Sequence, residues 1–339
     1  MEWDAKEGKS SDIIDERGAD NGDAGLGGLG GLGGAAGGAG PVLGGVLASV
    51  LGGRGRKGGV LGLVIVLAAT FILPKILASS GFDVPSGSAN LPRTGNAGPL
   101  PGTGAAADAT LTPAVTDPDP VLTAFANVII SDTNDIWSRQ FEAGGRKYDR
   151  TKMVLFSNRV DTACGAASSD MGPFYCPGDQ RVYIDLKFFD ELATRFGAAG
   201  DFAQAYVIAH EVGHHVQDEL GITAQVRRLE EQDPSSAEGA DGLSVRTELQ
   251  ADCFAGVWAH SRFERGQSDP SKRLDDGDID EALKAAAGVG DDAIQKAATG
   301  RINPDSFTHG ESAQRERWFK RGYDSGRSTD CDTFTADSL

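Results

Sequence analysis

The chain has 339 residues, 47 glycines, four cysteines and a formal net charge of −17. An apolar fraction of 40% and a charged fraction of 24% allow a sizeable core and argue against a wholly disordered or multi-span membrane protein. The acidity argues against a nucleic-acid partner, since no concentrated basic surface is there to release counterions from phosphate, and four cysteines are too few for a disulfide-dense scaffold.

In chain order, residues 1–57 read as a glycine-rich segment. From Gly22 to Gly59 the glycine content costs too much backbone entropy for an independent core, so a flexible linker is expected. A weak G-x-G-x-x-G match there has no strand before it and carries no dinucleotide site. Gly58–Ala78 (GGVLGLVIVLAATFILPKILA) follows. Twenty-one helical residues span about 30 Å, the thickness of a bilayer core, so one transmembrane helix is expected. Arg54, Arg56 and Lys57 precede it, which places residues 1–57 in the cytoplasm and the rest outside the cell membrane. A cleaved signal peptide and a buried core helix are the competing readings. Residues 79–120, rich in Gly, Pro, Ala and Thr, read as a tether, and the folded domain is expected at 121–339.

Within that domain Asp119–Phe141 shows helical spacing of Val121, Leu122, Phe125, Val128, Ile129, Ile136 and Trp137. Lys152–Phe156 and Arg181–Asp185 read as strands around a loop holding Cys164 and Cys176. Helices are expected at Asp201–Leu220, ended by Gly221, and at Leu243–Phe263, Ile279–Ala287, Ala293–Ala298 and Ser312–Tyr323. The predicted class is α+β, mostly helical with a small sheet.

His210-Glu211-Val212-Gly213-His214 is an H-E-x-x-H run. Histidines four apart on a helix project from one face, so both imidazoles can reach one Zn²⁺. Glu211 between them is the candidate catalytic base for the zinc-bound water. The apolar stretch Ala203–Ala209 gives the helix a rear face that can pack. A helix with surface histidines is the plain alternative. His215 points elsewhere and reads as structural.

A catalytic zinc needs a third protein ligand and one open position. Glu248 and Asp252, four apart on a second helix, are the candidates, with Glu248 as ligand. The pairing is similar to that of thermolysin-like enzymes, in which the Glu binds the metal and the Asp accepts from a ligand histidine's free N–H. Asp252 as the ligand, or a solvated acidic face, are the alternatives. For the oxyanion of the tetrahedral intermediate, His309 and Tyr206 are candidate donors, with Tyr206 also readable as core. His260 reads as structural.

Taken together, the residues resemble the bacterial neutral zinc metallopeptidase family of membrane-anchored proteins. The likeness runs through Met1-Glu2-Trp3, Ser11–Gly18 (SDIIDERG), Gly172–Pro177 (GPFYCP), Val182–Asp185 (VYID), the H-E-x-x-H helix, Glu248–Cys253 (ELQADC) and Phe307–Phe319 (FTHGESAQRERWF). It covers nearly the whole chain except residues 79–120. The resemblance implies a zincin-like fold and peptidase activity and leaves the substrate open.

Outside the cytoplasm the four cysteines can oxidise. Cys164 with Cys176, and Cys253 with Cys331, is one of three possible pairings, and four free thiols is the alternative. The function expected is a membrane-anchored zinc peptidase acting on peptides or proteins. The competing readings are a membrane-tethered binding or scaffold protein with a structural, four-ligand zinc, and a cytosolic hydrolase whose apolar segment is buried.

Overall fold

The computed structural model describes residues 1–18 and 117–339. Gly58–Ala78, the rest of the glycine-rich segment and the expected tether up to residue 116 lie outside the described residues. Among the described residues no helix is long and apolar enough to cross a membrane.

Helix α1 (Pro120–Ala143) begins where the Asp119 carboxylate accepts from Leu122 N at 3.0 Å and Pro120 takes the first turn, which has no use for an N–H. Its Phe125, Val128, Ile129, Ile136 and Trp137 are buried as the spacing predicts, whereas Val121 is exposed. The strands are β1 (Ile13–Asp15), β2 (Lys152–Leu155), β3 (Arg159–Thr162), β4 (Gly165–Ser168), β5 (Phe174–Cys176) and β6 (Arg181–Ile184). One sheet has the order β1-β2-β6-β5, parallel except at β5, and β3 pairs with β4 as an antiparallel hairpin. The stretch expected as a plain loop therefore carries three short strands, and the Cys164–Cys176 disulfide ties the hairpin turn to β5.

Seven helices follow: α2 (Phe188–Thr194), α3 (Asp201–Glu219), α4 (Ile222–Gln232), α5 (Leu243–Gly266), α6 (Asp278–Gly288), α7 (Asp291–Thr299) and α8 (Ser312–Ser325). The class is α+β and mostly helical. Helix α3 ends at Gly221, whose left-handed φ of 77° lets the chain turn straight into α4, which the sequence reading lacked along with α2. Helix α3 packs against α1, α5 and α6, and α5 against α8. The last pair is very close. A methyl at Gly322 would lie 1.9 Å from Cys253 O, and one at Gly256 2.1 Å from Phe319 O. The second disulfide, Cys253–Cys331, pins the chain beyond α8 to the same stretch of α5.

Residues 1–18 correct the expected organisation. The sequence places them in a segment apart from the domain, yet they fold onto it as a strap. Ile13–Asp15 pairs in parallel with Met153–Leu155. Trp3 meets Phe125 edge-on at 5.5 Å, Lys9 N donates to Ser131 Oγ at 2.8 Å, and buried Asp12 takes an ion pair from Arg150. Exposed pairs such as Lys9–Asp135 contribute about 0–1 kcal/mol each, so the hold comes mainly from the strand ladder, the packed rings and the Asp12 pair. At the other end Arg17 lies 3.0 Å from Asp117.

Portions that are hydrogen-bonded to one another lie on the same side of any bilayer. The expected crossing at Gly58–Ala78 lies outside the described residues, and the packing of residues 1–18 on the domain predicts that these two parts share a side. Cysteines introduced singly at exposed Lys6 and Lys147, and probed in intact cells with a membrane-impermeant thiol reagent, should react alike. Labelling of one position with protection of the other would overturn the shared side.

Candidate metal centre

The site is built from α3, α5 and α8. Residues four apart in an α-helix lie about one turn apart on one face, so His210 and His214 stand one above the other, with ring centroids 4.8 Å apart and ring planes nearly perpendicular. Gly213 faces α5. A methyl there would lie 3.0 Å from Ala251 O, and its absence lets the two helices close up. That approach brings Glu248 beneath both rings. Its Oε2 is 3.2 Å from His210 Nε2 and its Oε1 3.4 Å from His214 Nε2. One ligand atom from each of the three residues falls within 4.8 Å of the others, and all three residues are buried.

The outer ring nitrogens decide which way the imidazoles face. His210 Nδ1–H donates to Asp252 Oδ1 at 2.8 Å, and His214 Nδ1–H donates to Gln217 Oε1 at 2.9 Å. The Gln217 amide cannot turn over without loss, because its nitrogen donates to Thr247 O at 2.9 Å and Gln250 Oε1 at 3.1 Å. With hydrogen on both Nδ1 atoms, both Nε2 atoms point into the space shared with Glu248. Two neutral imidazoles and a carboxylate form the donor set of a three-ligand zinc site, so the residues fit that metal.

Electrostatics follow from burying these groups together. Burial opposes the charged ring of His210, but Asp252 and Glu248 outweigh it and push the group up to about 10. Burial also opposes the charge on Glu248, and the two histidines overcome it, holding the carboxyl well below the usual carboxylate range. Asp252 is lowered in the same way, by Arg315 and His210 against burial. Glu211 differs. It is buried beside the pair, and burial raises its proton affinity despite both histidines.

His309 precedes α8 in a loop anchored on Asp291, at the start of α7. Asp291 Oδ2 accepts from the backbone N–H groups of Thr308, His309 and Gly310 at 2.7, 2.6 and 3.0 Å. Its Oδ1 lies 3.2 Å from His309 Nδ1. Burial disfavours the imidazolium, yet Asp291 and Glu248 raise its proton affinity.

Other candidates are placed elsewhere. Tyr206 donates its hydroxyl to Asp252 inside the core, so that hydrogen is not directed at an oxyanion. His215 meets Asp149 O and Tyr175, and burial lowers it to about 4. His260 meets Tyr323 O. Gln217, Arg315 and Asp291 were missed by sequence reasoning; only Gln217, one turn from His214, left a signal. A second acidic group, Asp201, Asp278 and Glu281, already surrounds a cation, the Met1 ammonium, 2.8 Å from Asp201 and 3.4 Å from Asp278.

Comparison with known proteins gives a consistent kinship. "Uncharacterized protein YpfJ" of Escherichia coli (strain K12) is 54% identical over 210 residues, covering 62% of this chain and 70% of that protein. "Uncharacterized protein Mb2605" of Mycobacterium bovis is 50% identical over 197 residues, covering 57% of this chain and 65% of its own length. No solved structure matches the chain. The family described as "Putative neutral zinc metallopeptidase" matches residues 1–334. The chain belongs to that family of zinc metallopeptidases.

Proposed function

We propose that the domain hydrolyses peptide bonds at a single zinc held by His210, His214 and Glu248. The observation that carries this reading is the convergence of three donor atoms within 4.8 Å, with both imidazoles turned inward by acceptors at their outer nitrogens. Zinc, when bound, supplies an acidified water and a Lewis acid for the substrate carbonyl. Glu211 is the general base. Its burial makes it a better proton acceptor than a solvated carboxylate, and it passes the proton to the leaving amine. His309, whose Nδ1 is held by Asp291, stabilises the oxyanion in this reading.

A structural zinc in a binding or scaffold protein would close its shell with a fourth protein ligand. Among the described residues the cluster holds three such groups, and all four cysteines are in disulfides. That favours catalysis. The disulfides also support an oxidising compartment outside the cytoplasm. Attachment to a membrane through Gly58–Ala78 fits the strap only if residues 1–18 and the domain share one face of the bilayer.

Glu211→Gln should retain about one zinc per chain and lose at least about 100-fold in kcat/KM on a general peptide substrate. Metal analysis beside a hydrolysis assay measures both, and full activity in the variant would remove Glu211 from the mechanism.

The metal-free site also has a pH signature. His210 carries its proton at neutral pH because its folded value, about 10, lies above the ordinary 6.5. In the metal-free protein this proton contributes stability that is complete below pH 6.5 and is lost as pH rises through 10. Zinc must displace the proton, so affinity should rise about tenfold per pH unit between pH 7 and 9. Chelator competition at several pH values checks the slope, and a flat profile would show that His210 does not hold its proton at neutral pH.

A further inference from the structure

Arg315 has no role in the mechanism above, yet it is buried in α8 with its guanidinium directly behind the ligand set. Its Nε donates to Asp252 Oδ2 at 2.8 Å and its Nη2 to Asp252 Oδ1 at 3.0 Å, a two-pronged pair that fixes the plane of the carboxylate. Nη2 also donates to Tyr206 Oη at 3.3 Å and stands 3.4 Å from His210 Nδ1 and 3.7 Å from Glu248 Oε2. Nη1 donates to Val289 O at 3.3 Å.

We infer that Arg315 is the positioning residue of the metal centre: by clamping Asp252 it holds the His210 ring so that Nε2 faces the metal. Asp252 Oδ1 accepts from three donors at once, His210 Nδ1, Tyr206 Oη and Arg315 Nη2. A carboxylate loaded in this way has one orientation. Without the fork, the remaining donors all act on Oδ1 and leave Oδ2 unpaired in a dry site, so the carboxylate is free to swing about that oxygen. A lysine in place of Arg315 supplies charge without the planar double bond, so charge and geometry can be separated.

This inference rests on the zinc-peptidase reading and concerns metal binding before turnover. Wild type, Arg315→Met, Arg315→Lys, Asp252→Asn and the Arg315→Met/Asp252→Asn double variant would be purified as full chains. Zinc affinity would be measured by chelator competition, and the visible spectrum of the cobalt-loaded protein recorded. Arg315→Met should weaken zinc about 10–100-fold. On the Asp252→Asn background the same change should cost less than about 3-fold, because Arg315 acts through that carboxylate. Arg315→Lys guards against a misfolded methionine variant. It should melt near the wild-type temperature while still binding zinc at least about 10-fold more weakly, with a displaced cobalt band.

A merely structural arginine would move the melting temperature and leave the cobalt band in place. Affinity within about 3-fold of wild type in a folded Arg315→Lys, or losses that multiply in full in the double variant, would overturn the inference. Stoichiometric zinc in wild type with unchanged Arg315 variants removes only this role. Absence of zinc binding in wild type rejects the reading of the site and this inference with it.

Discussion

Six ionisable side chains, His210, Glu211, His214, Glu248, Asp252 and Arg315, are buried together at the junction of α3, α5 and α8. Burying one unpaired charge costs several kcal/mol, and removing one partner of a buried pair costs about 3–5 kcal/mol. The groups are therefore tolerated only as a set. In the metal-free protein the His210 imidazolium and the Arg315 guanidinium stand against the Glu248 and Asp252 carboxylates. A divalent cation taking the place of the imidazolium proton supplies the same compensation at the same point. On the proposed reading the charges of the site already compensate one another, and the raised proton affinity of His210 reflects the two carboxylates beside it.

Such a set needs helices held at short range. The backbone contacts that Gly213, Gly256 and Gly322 permit bring α5 against both α3 and α8. The Cys253–Cys331 bridge then holds the chain beyond α8 to α5, one residue from Asp252. Gln250, on the same turn, donates to Cys331 O at 2.9 Å and accepts from Gln217, which orients His214. Each proposed zinc histidine is thus oriented through a residue tied to the C-terminal part of the chain, His214 by way of Gln217 and Gln250, His210 by way of Asp252 and Arg315.

The parts legible in the sequence are those whose chemistry repeats at a fixed period. His210 and His214, and Glu248 and Asp252, are each four apart, and that spacing alone puts each pair on one helical face. Long amphipathic helices such as α1 and α5 were legible for the same reason. Gln217, Asp291 and Arg315 are single polar residues whose importance comes from what another element sets beside them, and no period announces that. Tyr206 could be read either as a donor or as core, because sequence gives the face of a helix but not the partner of a hydroxyl; it is buried and donates to Asp252. β2 and β6 are legible though only four residues long because each carries three consecutive apolar residues, whereas β1, β3 and β4 carry at most two, so residues 1–18 read together with the glycine-rich stretch that follows them.

The strap matters to the centre because of where it binds. The Met1 ammonium meets Asp201, the first residue of α3, nine positions ahead of His210 on the same helix. Asp278, at the start of α6, shares that ammonium, and α6 packs along α3. The start of α3 is therefore held by the strap and the part carrying its histidines by α5 and α8. A helix pinned at both places cannot slide or rotate about its axis without breaking ion pairs at one of them. Since one residue of rotation on a helix is about 100°, a slip of that size would turn both imidazoles away from Glu248. The placement of the proposed zinc ligands is therefore a property of the whole body formed by residues 1–18 and 117–339.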